Sequence, residues 1–309
     1  MTLSAAIDAY VAVKRSLGAI FTVDERILRS FWRALGDVPV EAISTEQCLA
    51  FCRGKGVLSR FTVMKHERLR GFLGYLVGRG HLVTSPLPEP PPRIQSAFRP
   101  HIYSHDQIKA LLDATAMVDV RSLVAPLTLR TLILLFYGTG LRASEALRLR
   151  CRDVDCAERL ITVWDTKFFK SRFVPIGATL AEALVRYQRE GGVSSGDGQR
   201  SHFFLRKNAT AIPLDSLDVA FSRLRKWARV RRPYPDPWQP RIHDLRATFA
   251  VHRLIAWYRE GRDVQRLLPA LATYLGHINV SSTQAYLTMT PELLREASLH
   301  FERYASPRA

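Results

Sequence analysis

The sequence predicts a mainly α-helical chain of two domains, the second of which carries a small β-hairpin. Stretches with apolar residues at helical spacing, many behind a Ser or Thr cap, fill most of the 309 residues. Prolines crowd between residues 86 and 100 and divide these stretches into two groups, because proline cannot lie inside a helix or a central strand. In residues 159–164 and 172–176, by contrast, apolar and polar side chains alternate, which is typical of β-strands.

Residues 1–85 form the first predicted domain, with four helices. Apolar residues recur at helical spacing over residues 4–16. Capping-box patterns at Thr22 and Ser44 predict the starts of the second and third helices. The fourth helix covers about 59–77 and ends at a pair of glycines. Residues 86–103 follow as an extended, semi-rigid linker.

Residues 104–290 form the second predicted domain, which opens with a capping box at Ser104. The turn of the hairpin is predicted near residues 168–170. A helical C-terminal tail occupies residues 291–309. Further helices are predicted at about 124–136, 142–150, 180–189, 217–230, 243–257 and 263–275.

The charge of the chain predicts a polyanionic partner. Lys and Arg number 45 against 28 Asp and Glu, a formal net charge of +17. DNA is the first expectation, and on charge alone a ribosome-associated or membrane-surface protein is the alternative. The most apolar run, residues 131–137, is too short to cross a bilayer, and no signal peptide is visible. The four cysteines lack zinc-site spacing, so reduced thiols and a cytoplasmic location are expected.

Six residues of the second domain stand in short, distinctive frames. In chain order these candidate catalytic residues are Arg142, Lys167, His243, Arg246, His277 and Tyr286. A tyrosine can attack a phosphodiester, while arginine forks neutralise its oxygens and a lysine or histidine handles protons. No carboxylate cluster for a metal is visible in the sequence, so we expect this chemistry to need no metal and no other cofactor.

The frames GTGLRASEAL, TKFFKSRFVPI, HDLR and LGH, followed nine residues later by a tyrosine, resemble those of the tyrosine recombinases. This is the family of phage integrases and Xer-type recombinases, and the closest likeness is to recombinases of transposons and other mobile elements. The resemblance implies a C-shaped clamp built from a helical core-binding domain and a catalytic domain. It also implies that the tail docks on a neighbouring subunit.

The resemblance further implies a role for each candidate. Tyr286 is the nucleophile that forms a 3′-phosphotyrosine, Arg142 and Arg246 hold the phosphate, and Lys167 is the general acid. His243 handles protons and His277 binds the phosphate. Lys170, on the same turn as Lys167, and Tyr274, just before LGH, are the rivals for two of these roles.

The implied partners are double-stranded DNA with specific recombination sites and a homo-tetramer that works through a Holliday junction, with or without partner recombinases. Two alternatives remain open: a DNA-relaxing enzyme like the type IB topoisomerases, and a non-catalytic DNA-binding relative. No membrane partner is expected. Predicted DNA contacts, with a solvated charged face as the alternative, are Lys65, Arg68, Arg70, Lys170, Arg172 and Arg225.

Overall fold

The computed structural model divides the chain into two compact units. Among the described residues, the first unit contains those up to residue 88 and the second unit those from residue 99 onward. The structure describes residues 1–54, 58–88, 99–119, 122–164, 171–190, 201–232 and 238–305. Most of the predicted linker and the predicted turn near 168–170 therefore lie outside the described residues.

The described residues of the first unit form four α-helices, as predicted: α1 (Leu3–Ser16), α2 (Thr22–Leu35), α3 (Thr45–Arg53) and α4 (Arg60–Gly78). They surround one apolar core. The capping box at Ser44 is confirmed, because its hydroxyl accepts from the Gln47 amide at 3.2 Å and the Gln47 side chain accepts from the Ser44 amide at 2.9 Å. The prediction of a capping box at Thr22 is wrong, since Thr22 is the first residue of α2. The residue before the helix is Phe21, whose φ of 55° is in the left-handed region.

The second unit is also mainly helical, and it contains a small antiparallel sheet whose strands lie side by side in chain order. The predicted strands pair through Ile161 and Val174. Two short elements, a strand at Val154–Asp155 and a helix at Ser281–Gln284, were not predicted. In chain order the elements are α5 (His105–Ala114), α6 (Pro126–Thr139), α7 (Ala143–Arg148), β1 (Val154–Asp155), β2 (Leu160–Val163), β3 (Arg172–Pro175), α8 (Ala178–Glu190), α9 (Leu214–Trp227), α10 (Asp244–Arg259), α11 (Val264–Leu275), α12 (Ser281–Gln284) and α13 (Pro291–Ala305).

Helices α6 and α10 form the centre of the second unit and pack against each other. Both bury residues on most of their circumference, which is the pattern of a helix surrounded by protein. The end of α6 and the start of α10 are therefore held in place by the surrounding protein. The candidate catalytic arginines lie next to these two helix ends.

Helix α13, the predicted tail, packs on α10 of its own chain. Leu293 is fully buried, and Arg259 pairs with Glu292 at 2.8 Å and Glu296 at 2.9 Å. Docking of the tail on a neighbouring subunit stays a prediction. Among the described residues, no helix combines the length and the hydropathy needed to cross a membrane.

Candidate active site

Arg142 lies at the junction between α6 and α7, directly before the first residue of α7. Its guanidinium donates to Glu145 Oε1 at 2.7 Å and to the carbonyl of Gly276 at 2.8 Å. Its backbone amide donates to the other oxygen of Glu145 at 3.0 Å. The side chain remains 37% exposed, so it is anchored on one side and can be reached by a phosphate on the other.

Gly140 closes α6 and joins this helix to the site. Its φ of +63° is in the left-handed region, where a side chain is strained. A Cβ at this position would lie 2.7 Å from both Leu275 Cδ2 and Phe249 Cδ1. The Gly140 carbonyl also accepts a hydrogen bond from Arg246 at 2.7 Å. Both the backbone angle and the close approach of α10 and α11 therefore require glycine here.

Replacing Gly140 with alanine should destabilise the second unit by about 2–5 kcal/mol. A left-handed non-glycine residue costs about 1–2 kcal/mol, and an overpacked core costs about 1–3 kcal/mol more. Urea unfolding followed by tryptophan fluorescence measures the change. Gly177→Ala is the control, because its Cβ meets no atom within 4 Å and its φ is not in the left-handed region. An equal effect of the two substitutions would contradict this account.

Arg246 and His243 occupy the beginning of α10. The Arg246 guanidinium donates to the carbonyls of Gly140 and Leu275, both at 2.7 Å, and the residue is only 3% exposed. Burial and the nearby charge of Arg142 lower the pKa of Arg246 to about 10, so it stays charged at neutral pH. The protein surrounding His243, followed by the charges of Arg246 and Arg241, lowers the pKa of this histidine.

Three successive carbonyls at the end of α11 each accept a hydrogen bond from a different arginine. Tyr274 O receives Arg172 Nε at 3.0 Å, Leu275 O receives Arg246 at 2.7 Å, and Gly276 O receives Arg142 at 2.8 Å. The last carbonyls of a helix lack partners within the helix and carry its negative dipole end. The terminus of α11 thus gathers arginines from three elements that are distant in sequence.

Glu145 is the buried counter-ion of this cluster. Its carboxylate receives Arg172 on both oxygens, at 3.1 and 2.8 Å, as well as Arg142. Burial raises the pKa of Glu145, but the hydrogen bonds and charges of Arg172 and Arg142 outweigh it and bring the pKa to about 2. The carboxylate is therefore ionised at neutral pH, and the three arginines still leave an excess of positive charge for a phosphate.

His277 and Tyr286 complete the site in the segment that follows the C-terminal end of α11. His277 follows the helix-closing Gly276 and forms a 2.7 Å hydrogen bond between Nδ1 and the Thr283 hydroxyl. Its ring lies 5.9 Å from the Tyr286 ring, centroid to centroid. Burial, Arg246 and Arg142 lower the pKa of His277 to about 4, so the ring is neutral at pH 7. Tyr286 is 9% exposed and close enough to Arg246 to offset part of the lowering of the pKa of that arginine.

A sequence model described as the phage integrase family matches residues 102–292. The chain belongs to this family. It is 34% identical to the integrase/recombinase y4rE of Sinorhizobium fredii over 94% of this chain and 93% of that protein. It is 26% identical to the tyrosine recombinase XerC of Staphylococcus saprophyticus over 84% of this chain and 80% of that one. The protein is thus a tyrosine-type site-specific recombinase.

Solved structures share its fold. The Tn1549 transposon integrase in complex with transposon right end DNA has a TM-score of 0.71 at 18% identity, covering 99% of this chain and 100% of that one. A lambda integrase dimer bound to a core site has a TM-score of 0.63 at 18% identity, covering 91% of this chain and 97% of that chain. The prediction of a mainly α-helical recombinase fold with a small sheet is confirmed.

Five of the six predicted catalytic residues of the recombinase come together in the structure: Arg142, His243, Arg246, His277 and Tyr286. Lys167 and its rival Lys170 lie outside the described residues, so the choice between them stays a prediction. Tyr274, the rival of Tyr286, donates its hydroxyl to the Pro175 carbonyl at 3.0 Å. Burial raises the pKa of Tyr274 to about 12, which disfavours the phenolate form that attack on a phosphodiester needs.

Two of the predicted DNA contacts do not fit their positions in the recombinase. Arg172 is only 10% exposed at its side chain, and Glu145 and Tyr274 bind its guanidinium. Arg225 is 8% exposed and donates to the Val230 carbonyl and to the Gln239 side chain, so it holds the segment that follows α9. Charge in the sequence could not distinguish these buried arginines from exposed ones.

Three of the remaining predicted contacts lie on α4, and Lys170 lies outside the described residues; all four stay predictions. Lys65 donates to the Phe51 carbonyl at 3.0 Å and lies 4.4 Å from the centre of the Phe51 ring. Arg68 pairs with Asp24, and Arg70 is exposed. Arg70 is thus exposed on α4, where a phosphate can reach it. Within the described residues, no group of three or more His, Cys, Asp or Glu could hold a metal ion.

Proposed function

We propose that this recombinase cuts and rejoins double-stranded DNA through attack of Tyr286 on a phosphodiester. The observation that carries the proposal is the anchoring of Arg142 and Arg246 on successive carbonyls at the end of α11, beside His277 and Tyr286. Side chains held in this way lose little freedom when a phosphate binds. Preorganised cations of this kind stabilise the negative charge that grows on the phosphate oxygens during attack.

In the proposed reaction, the Tyr286 oxygen bonds to phosphorus as the bond from phosphorus to the 5′ oxygen breaks. His243 has a lowered pKa and is largely neutral at pH 7, so it can accept the phenol proton. His277 is neutral and faces the same region, so one ring nitrogen can hydrogen-bond the phosphate while the other binds Thr283. Lys167 protonates the leaving 5′ oxygen, as its frame in the sequence predicts.

The products of this step are a 3′-phosphotyrosine and a free 5′ hydroxyl. A 5′ hydroxyl from a second duplex then attacks the phosphotyrosine, which restores the phosphodiester and frees Tyr286. Because the phosphotyrosine ester retains the energy of the broken phosphodiester bond, the strand exchange needs no ATP or other reactant. The reaction class therefore needs only DNA and the side chains of the protein.

We further propose a tetramer on DNA that serves a mobile element. A lambda integrase tetramer bound to a Holliday junction shares the fold at a TM-score of 0.64 and 17% identity. The Tn1549 transposon integrase shares it as well. The net charge of +17 supports a DNA partner for this chain, and its cysteines support a cytoplasmic location. Integration, excision or resolution of the element are the roles that this chemistry serves.

Strand exchange between paired sites tests the proposal. A plasmid carrying two copies of the DNA that flanks the gene, incubated with purified protein, should yield deletion or inversion products. The same plasmid without these segments is the control. Relaxation of supercoils on both plasmids with no exchanged product would favour a topoisomerase-like enzyme. DNA binding with no cleavage on either plasmid would favour a non-catalytic relative.

A further inference from the structure

Arg172, the first residue of β3, is the third arginine at the end of α11. Its Nε donates to Tyr274 O at 3.0 Å, and its two terminal nitrogens donate to the Glu145 carboxylate at 3.1 and 2.8 Å. The guanidinium therefore links three elements: the sheet, the first turn of α7 and the end of α11. Its charge is almost entirely withdrawn from solvent.

The neighbouring turn leaves room for this guanidinium. A Cβ on Gly276 would lie 2.8 Å from Nη1 and 2.9 Å from the central carbon of Arg172. Gly276 also has a φ of +70°, which favours glycine independently. The glycine of the LGH frame thus permits both the turn that presents His277 and the close approach of Arg172.

Arg172 reaches the reacting groups through Glu145. The Glu145 carboxylate holds the side chain and the backbone amide of Arg142. When Arg172 occupies both oxygens from the interior side, the carboxylate is fixed in orientation and Arg142 is directed towards the Gly276 carbonyl. A carboxylate with a single arginine partner could rotate, and Arg142 would rotate with it.

We propose that Arg172 is a positioning residue of the recombinase, holding Glu145 and the end of α11 so that Arg142 and His277 meet the phosphate in the reactive arrangement. The proposal rests on the function proposed above and names a residue outside the predicted catalytic set. The guanidinium of Arg172 is occupied by Glu145 and Tyr274, so the role we assign to it involves no direct contact with the phosphate. Its effect should appear in the cleavage rate and in the pH dependence of that rate, with little effect on DNA affinity.

The pH dependence follows from the groups that face Glu145. These are Arg142 at the start of α7, Arg172 on β3, Arg246 on α10 and His277 after α11. Burial raises the pKa of Glu145, and Arg172 is the largest influence against it. Without Arg172 the pKa of Glu145 should therefore rise. Since the ionised carboxylate is the form that holds Arg142, cleavage should then fall as the pH decreases through the raised pKa.

The test is a single-turnover cleavage assay from pH 5 to pH 9 on a nicked suicide duplex made from the DNA that flanks the gene. The quantity compared is the rate of each variant divided by the wild-type rate at the same pH, which removes the titration of His243. For Arg172→Gln we expect a ratio of about 0.1 at pH 8. The ratio should fall about another tenfold for each pH unit below the raised pKa of Glu145.

Three further variants distinguish positioning from general damage. Arg172→Lys retains a charge near Glu145 and should shift the acidic loss to lower pH than Arg172→Gln does. Arg172→Gln combined with Glu145→Gln removes the titrating group, so the extra acidic loss should disappear. Arg186→Gln on α8 removes an exposed arginine that pairs with Glu190 at 3.4 Å, and should match wild type at every pH.

A direct readout covers the case in which Arg172→Gln folds poorly. The carboxyl carbon of Glu145 can be followed by ¹³C NMR in the DNA-free Arg172→Lys protein, with Glu145→Gln to identify its signal. We expect it to titrate at higher pH than in wild type. A rate ratio independent of pH, an unshifted Glu145 titration, or a loss of DNA affinity equal to the loss of rate would overturn the proposal. If wild-type protein forms no adduct at all, the proposed function fails instead.

Discussion

Replacing Tyr286 with phenylalanine should abolish the covalent protein–DNA adduct and leave DNA binding unchanged. The substitution removes only the attacking oxygen, because the ring that packs beside His277 remains. No neighbouring group among the gathered residues is a comparable oxygen nucleophile. The amount of covalent adduct formed on a nicked suicide substrate is measured on a denaturing gel. Binding is measured in parallel by the mobility shift of an intact duplex.

Tyr274→Phe is the matched control for this experiment. Tyr274 precedes the same LGH frame, but its hydroxyl donates to Pro175 O and its ring stacks on Phe249 with centroids 5.5 Å apart. Its loss should cost about 1 kcal/mol of stability, as for one hydrogen bond, and adduct should still form. Adduct formation by Tyr286→Phe together with its loss in Tyr274→Phe would transfer the nucleophile to Tyr274.

The Arg142→Ala variant should cleave about a hundredfold or more slowly, the effect of removing one preorganised donor to a developing charge. The fold should tolerate the change, because Arg172 still binds both oxygens of Glu145 and Arg142 is partly exposed. Single-turnover cleavage at saturating protein measures the effect on the chemical step. A thermal unfolding curve of the same preparation checks the fold.

Arg148→Ala provides the comparison for charge alone. Arg148 is the last residue of α7, the helix that begins directly after Arg142. It is exposed, and it donates to the Ser144 carbonyl at 3.1 Å. Its removal changes the net charge by the same amount as Arg142→Ala, yet we expect a cleavage rate within a few fold of wild type at saturating protein. Equal losses for the two variants would mean that Arg142 contributes only to the general attraction of DNA.

The sequence by itself determined the helices and the order of the candidate residues, because these depend on local signals. Capping boxes at Ser44 and Ser104 act within four residues, and both formed as predicted. The prediction failed at Thr22, where Phe21 adopts a left-handed conformation and its ring packs edge-on against Tyr10. A tertiary contact at this position outweighed a local capping preference.

Only the tertiary structure decided how the charged residues are used. Arg172 and Arg225 look like surface cations in the sequence. In the structure Arg172 links Glu145 to Tyr274, and Arg225 is bound to the Val230 carbonyl and the Gln239 side chain. The three arginines at the end of α11 are bound there by backbone carbonyls of Tyr274, Leu275 and Gly276. Every residue carries a carbonyl, so the sequence contains no signal for which ones accept. These carbonyls accept because they lie at a helix terminus, where they have no partner within the helix. The fold brings that terminus close to arginine side chains from distant parts of the chain.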